Sequence, residues 1–313
     1  QWSPHWVSHL GCLKGCLGYL ELDISADWLF GGTGHAFILN IHKEVCPSGP
    51  TAWKTVKLFE LGLNLGYQVE GVFGSRLEED LSTLQKQART LVESAIQAGT
   101  PCYGWELEIP EFYVVYGYDG AGVYFSGPGC DEGKGPLAWN KLGDTGIGIV
   151  EMYSVRAGAA AADDVIVREA IEFALDHARN PREWIFDGYR SGLEGYDNWT
   201  AAVEQGKASD MGMRYNVQTW HECRKYAVRF LKEARTRLPA HAAPQLKQAA
   251  VHYDAVSNYL GEVAGLYPWS FDVSPEDILP VDNSAIRAVE KLNKARSAEK
   301  KGLRTLEDLA ADL

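Results

Sequence analysis

No stretch of the 313 residues is apolar over the roughly 18 positions that a membrane-spanning helix needs, so no spanning segment is expected. Cysteine is scarce. Six in the whole chain are too few for a disulfide-stapled scaffold, which points to a reducing compartment and a cytoplasmic location. Basic residues are also in short supply: 30 Lys and Arg face 42 Asp and Glu, and the net charge of -12 argues against nucleic acid or an anionic membrane as partner. No basic segment followed by an apolar one opens the sequence, which begins at Gln1; either no signal peptide exists or a processed chain is being read, and export stays open. With 46% apolar and 23% charged residues the composition is that of an ordinary globular protein, which excludes disorder. The length exceeds the usual domain size of ~100–200 residues, so two domains are expected.

Composition changes near residue 157. Residues 1–157 hold 23 of the 32 glycines, whereas 158–313 hold nine glycines and most of the basic residues. The first part reads as turn-rich mixed structure and the second as solvated helices, with the boundary in the small, flexible Gly158–Asp164 stretch. In the first part, Leu81–Ala98 reads as a helix stopped by Gly99 and Pro101. Strands follow over Cys102–Glu108, Phe112–Tyr118, Val123–Ser126 and Ile147–Val155, with Asp119–Gly122 as a hairpin turn. Helices first and an antiparallel meander afterwards predict an α+β half-shell with one sheet face buried. In the second part, Trp220, Cys223, Ala227, Phe230, Ala234 and Leu238 mark one amphipathic helix, and Leu246, Ala250, Tyr253, Val256 and Leu260 another. Val167, Ile171, Ala174 and Ala178 mark a third, and Ser274-Pro275-Glu276-Asp277 has the composition of a helix start.

The most informative stretch is Gly11–Leu20. Read as a helix, it aligns Gly11, Gly15 and Gly18 on one line and Cys12, Cys16 and Tyr19 on the next. Three glycines cost a helix roughly 1 kcal/mol each relative to alanine, which predicts a second backbone packed closely on that smooth face. A cysteine in the first turn of such a helix would have its thiolate stabilised by the helix dipole, making Cys12 the candidate nucleophile. The plainer reading is a small core side chain, and that is the expectation for Cys16.

Cys12 opening a helix, then Leu17, Leu20, Leu22-Asp23-Ile24-Ser25 and Trp28–Phe37, is similar to the butirosin-biosynthesis protein H-like group, itself akin to the papain-like double-glycine leader peptidases. Gly99-Thr100-Pro101 before a strand and Tyr113–Asp119 resemble the strand pair that carries histidine in those peptidases. The similarity covers about residues 5–155, and the helical second half is also similar to the C-terminal part of long butirosin-type members. The resemblance implies a papain-like domain over 1–157, an all-α helical domain over 158–313, and acyl transfer or amide or thioester hydrolysis through a Cys12 thioester. Small-molecule, acyl or peptide substrates are implied, with an acyl carrier protein as a conceivable donor, and no cofactor or metal.

Two general-base positions of the resembled peptidases are vacated. Their histidine position is Glu111 here, and their Asp-Pro pair is Gly127-Pro128. The helix is about one turn shorter before Ser25, so rigid counting lands on His9 instead of Cys12. An imidazole must then come from elsewhere. His35, in the glycine-rich Gly31–Gly34 segment, is the first candidate base and His42 the second; Glu111 is a candidate acid or base. The competing function is a binding protein on the same fold that has lost its chemistry. A metal alternative exists because His5, His9, Cys12 and Cys16 recur at helical spacing. Their ends would lie about 16 Å apart, too far for one tetrahedral ion. Trp105, Tyr113, Tyr116, Tyr118 and Trp139 could line a cleft, though aromatics at strand positions are ordinarily core.

Overall fold

Residues 1–313 are all described in a computed structural model, and the chain is α+β with a helical C-terminal region. Along the chain, α1 (Ser8–Tyr19) and α2 (Ala26–Gly32) precede β1 (Asn40–His42), α3 (Val56–Asn64), β2 (Tyr67–Ser75) and α4 (Leu81–Gln97). Then come β3 (Cys102–Trp105), β4 (Phe112–Tyr118), β5 (Gly122–Gly127), β6 (Cys130–Ala138) and β7 (Ile149–Ala157). The remainder holds α5 (Asp163–Arg179), α6 (Pro181–Trp184), β8 (Tyr189–Ser191), α7 (Gly192–Glu204), α8 (Asp210–Arg237), α9 (Ala243–Leu266) and α10 (Asn283–Asp312). Contacts gather these elements into two units, Gln1–Ser25 with Leu65–Ala160 and Ala26–Asn64 with Ala161–Leu313. Against the division expected between 157 and 158, residues 26–64 pack with the second unit, which resumes at Ala161.

The first unit is a six-stranded antiparallel sheet in the order β2-β7-β3-β4-β5-β6. Both faces are covered, where one was expected. Leu84, Ala88 and Val92 of α4 pack on Cys102, Tyr113, Val115 and Met152 from one side. The two-residue period then turns Tyr103, Phe112 and Tyr153 to the other side, where His9 of α1 meets all three rings. β3 ends at Trp105, three residues short of expectation, because Glu106 adopts a left-handed backbone with φ of 55°. β6 is not among the strands expected; it carries glycines, charges and a proline and pairs with β5 through register shifts.

Within α1, the backbone expected on the glycine face is the chain's own first segment. Ser3 N–H donates to the Gly11 carbonyl at 3.1 Å. A Cβ at Gly11 or Gly15 would run into the carbonyl oxygens of Ser3 or Gln1, whereas one at Gly18 would meet nothing. Two of the three glycines are therefore required by close approach, and the propensity they cost is offset by that packing.

The second unit is built on α8, α9 and α10. The Trp220 stripe lies on α8, which starts earlier than the stripe because Ser209 caps it, accepting from Gly212 N–H at 3.0 Å. The helix start expected at Ser274–Asp277 is instead a turn. Pro280 follows it closely and disfavours helical backbone at the residue before, so α10 begins only at Asn283, capped by the Asp282 carboxylate. Three features tie residues 26–64 to this unit. Phe230 of α8 lies against Gly31 of α2, where a Cβ would clash with its ring. β1 pairs antiparallel with β8. The buried Arg224 guanidinium donates to the carbonyls of Ala36 at 3.0 Å and Ile38 at 2.8 Å while forming a two-pronged pair with Glu299 at 2.9 and 3.0 Å.

Candidate functional site

In the first unit, the start of α1 meets the entrance of β4. The turn between β3 and β4 closes through Glu106 N–H to the Glu111 carbonyl at 2.8 Å, which carries the Glu111 side chain toward α1. Ser8 joins the two elements. Its hydroxyl donates to the Glu111 carboxylate and accepts from Phe112 N–H at 3.0 Å. One residue on, His9 Nε2 lies 2.9 Å from the Tyr103 hydroxyl, and the ring stacks on Phe112 with centroids 4.1 Å apart. Cys12 follows one helical turn after His9.

Helix α1 starts at Ser8, so Cys12 is its fifth residue and lies beyond the first turn where the dipole acts. Its surroundings push the thiol the other way. Cys12 is 0% exposed, and burial above all, then the neighbouring Cys16 and Glu111, raise its pKa well above the ordinary thiol value. Cys12 and Glu111 belong to one unit, and Ser8, four residues before Cys12 on α1, bonds the Glu111 carboxylate. The expectation of a resting thiolate is replaced by that of a buried, neutral thiol. Cys16 is buried likewise, as expected of a core residue, with its thiol raised by desolvation.

His35 lies in the second unit. The Gly31–Gly34 stretch expected to be a loop is the end of α2 and the turn after it, with Gly34 at φ of 71°. His35 is buried among Trp53, Trp220 and Phe30, and its Nδ1 is 3.6 Å from Cys223 Sγ. Burial lowers its pKa to about 3, so it is neutral throughout the physiological range. His177 is held at about 3 by the same cause, and neither of its ring nitrogens has a hydrogen-bond partner. His42, on β1, accepts from Glu44 N–H at 3.2 Å through Nδ1, a strand-end arrangement.

The metal alternative loses its common row, since His5 precedes α1 and His9 is engaged by Tyr103. No three His, Cys, Asp or Glu side chains lie together as a metal would require. Of the aromatics considered for a cleft, Tyr113 is core packed edge-on to Phe125, Trp139 is buried, and Tyr116 is exposed.

A carboxyl that sequence reasoning passed over sits on the same sheet face as His9. Glu151 alternates with the core residues Val150 and Met152 along β7, which places it with Tyr153, whose hydroxyl donates to it at 2.9 Å. An acid set between the apolar residues Val150 and Met152 was the available signal. Burial pushes the Glu151 pKa up to about 7, while the Tyr153 hydrogen bond pulls it down. A carboxyl raised from 4.5 binds its proton more tightly when folded, so its contribution to stability is full below about 4.5 and is lost as pH rises through 7. Glu151→Gln is expected to remove that loss. Urea unfolding across pH should show the wild type losing up to about 1.4 kcal/mol per pH unit relative to the variant over this window. Parallel profiles for the two proteins would contradict the assignment.

No protein-family model matches the chain, and no curated protein aligns with it at a significant level. No helix is long and apolar enough to cross a membrane.

Proposed function

We propose that the first unit performs acyl transfer, or hydrolysis of an amide or thioester, with Cys12 as nucleophile and Glu111 as its general base. The observation that carries this reading is that Ser8, one helical turn before Cys12 on α1, donates its hydroxyl to the Glu111 carboxylate, at the position where the resembled peptidases place their histidine. Because the thiol rests protonated, the proton must leave during attack: sulfur bonds to the acyl carbon as the S–H proton passes to the Glu111 carboxylate. Collapse of the tetrahedral intermediate breaks the bond to the leaving amine or thiol, which takes that proton away. Water or an acceptor amine then releases the Cys12 thioester. His35 has no part in these steps, and they need no cofactor. The substrate is an acyl compound or peptide, with an acyl carrier protein among the possible donors.

Small acyl thioesters of N-acetylcysteamine, with thiol release followed colorimetrically, test the proposal. Turnover should vanish in Cys12→Ala and fall about 10²- to 10⁴-fold in Glu111→Gln. Wild-type rates retained by Cys12→Ala would refute it. The second reading, a binding protein without chemistry, is favoured by the complete burial of Cys12 and expects no turnover of any thioester by the wild type.

A further inference from the structure

The seam between α8 and α9 carries a trough that the reaction proposed above leaves unused. Its floor is formed by Val228, Leu231, Leu246 and Ala250, with the exposed Val251 on one wall, and encloses about 430 Å³. A second, shallow hollow, wide open to solvent, adjoins it toward the α8–α9 connection, lined by Leu238, Ala243 and Pro244. Arg235 and Lys247 line both hollows and so stand between them, and Lys232 lines the first. From Ala243 to Asp254 the trough follows three turns of α9, about 16 Å at the helical rise.

The charge on this seam is unspent. Arg229 and Arg237 on α8 are paired with Asp27, Asp163 and Glu233. Lys232, Arg235 and Lys247 are exposed and form no ion pair, and the one acid on the rim, Asp254, bonds Asn258 at 3.2 Å. Three free cations around apolar hollows, in a chain of net charge -12, select an anionic and amphipathic occupant. The position of the cations decides its shape. A single-headed amphiphile would need them at one end, whereas here apolar hollows lie on both sides of Arg235 and Lys247. An α-helix meets this arrangement, with apolar side chains one and two turns apart entering the hollows and acids between them reaching the cations.

We propose that this trough docks an acidic amphipathic helix of a partner protein. The probe is a fluorescein-labelled synthetic helix with leucines spaced three and four apart and glutamates elsewhere, set beside a counterpart with lysine for every glutamate. Anisotropy titration with the full chain at about 50 mM salt should show saturable binding of the acidic peptide alone, weakened at about 200 mM. The double variant Arg235→Glu/Lys247→Glu should weaken binding at least about tenfold with an unchanged melting temperature, since both side chains are exposed. Equal binding of the two peptides, or affinity unaltered in the double variant, overturns the proposal. So does binding of decanoate at this seam, by competition or by variant sensitivity, in the absence of peptide binding.

Discussion

Replacing Glu299 with alanine should cost the second unit about 3–5 kcal/mol, the largest loss expected from any single change of a charged residue in this chain. Arg224 is 0% exposed and its guanidinium is bonded on one side by both Glu299 oxygens and on the other by two backbone carbonyls. Glu299 also accepts from the Tyr196 hydroxyl at 3.2 Å. Without the carboxylate, a full positive charge stays in an apolar interior with only carbonyl dipoles to hold it, and the Tyr196 hydroxyl is orphaned. Urea unfolding followed by tryptophan fluorescence measures the loss. The double variant Arg224→Met/Glu299→Leu removes both charges and should be destabilised far less than Glu299→Ala, although the Ala36 and Ile38 carbonyls lose a donor. A loss below about 1 kcal/mol in Glu299→Ala would mean that the pair is not sealed from water.

The second large effect is in thiol reactivity. Under native conditions at about pH 7.5, iodoacetamide should label Cys46 and Cys130, the two partly exposed cysteines, and leave the other four untouched. Burial raises Cys12, Cys16 and Cys223 and holds Cys102 near 12, so the thiolate that reacts is almost absent at each. Their rates should be suppressed at least about a hundredfold relative to Cys46, and urea should abolish the difference, as read by peptide mass mapping. Fast labelling of Cys12 with an apparent pKa below about 8.5 would restore the resting-thiolate picture and remove the need for Glu111 as base. Suppressed labelling agrees with attack by a neutral thiol and also with a protein that only binds; the thioester assay separates these.

The parts of the fold legible beforehand share one property, a local signal strong enough to stand alone: a stop after a helix, a run of strand-forming residues before a turn, or a hydrophobic period. The helix expected over residues 81–98, the strand over 112–118 and the stripe beginning at Trp220 are of this kind, and α4, β4 and α8 lie on them. Misreadings occur where a short-range signal competes with distant partners. Ser274–Asp277 has helix-start chemistry but is bound into a turn, and the Gly31–Gly34 stretch has loop composition but is helical where Phe230 needs the missing side chain. At the candidate site, a thiolate at Cys12 would need the residue in the first turn of its helix; four residues precede it in α1, and one turn removes the dipole's influence.

By itself the sequence determined the mixed class, the helical C-terminal region, the acidic balance and the expectation that the glycines of α1 receive a neighbouring backbone. Each follows from residues adjacent in the chain or one helical turn apart. Tertiary structure alone decided that residues 26–64 join the second unit, that Ser8 and Glu111 meet across a hundred residues, and that Glu151 is partly buried with its carboxyl pKa pushed up. The physical reason is that desolvation and charge proximity depend on distance in space, and a pKa is set by both.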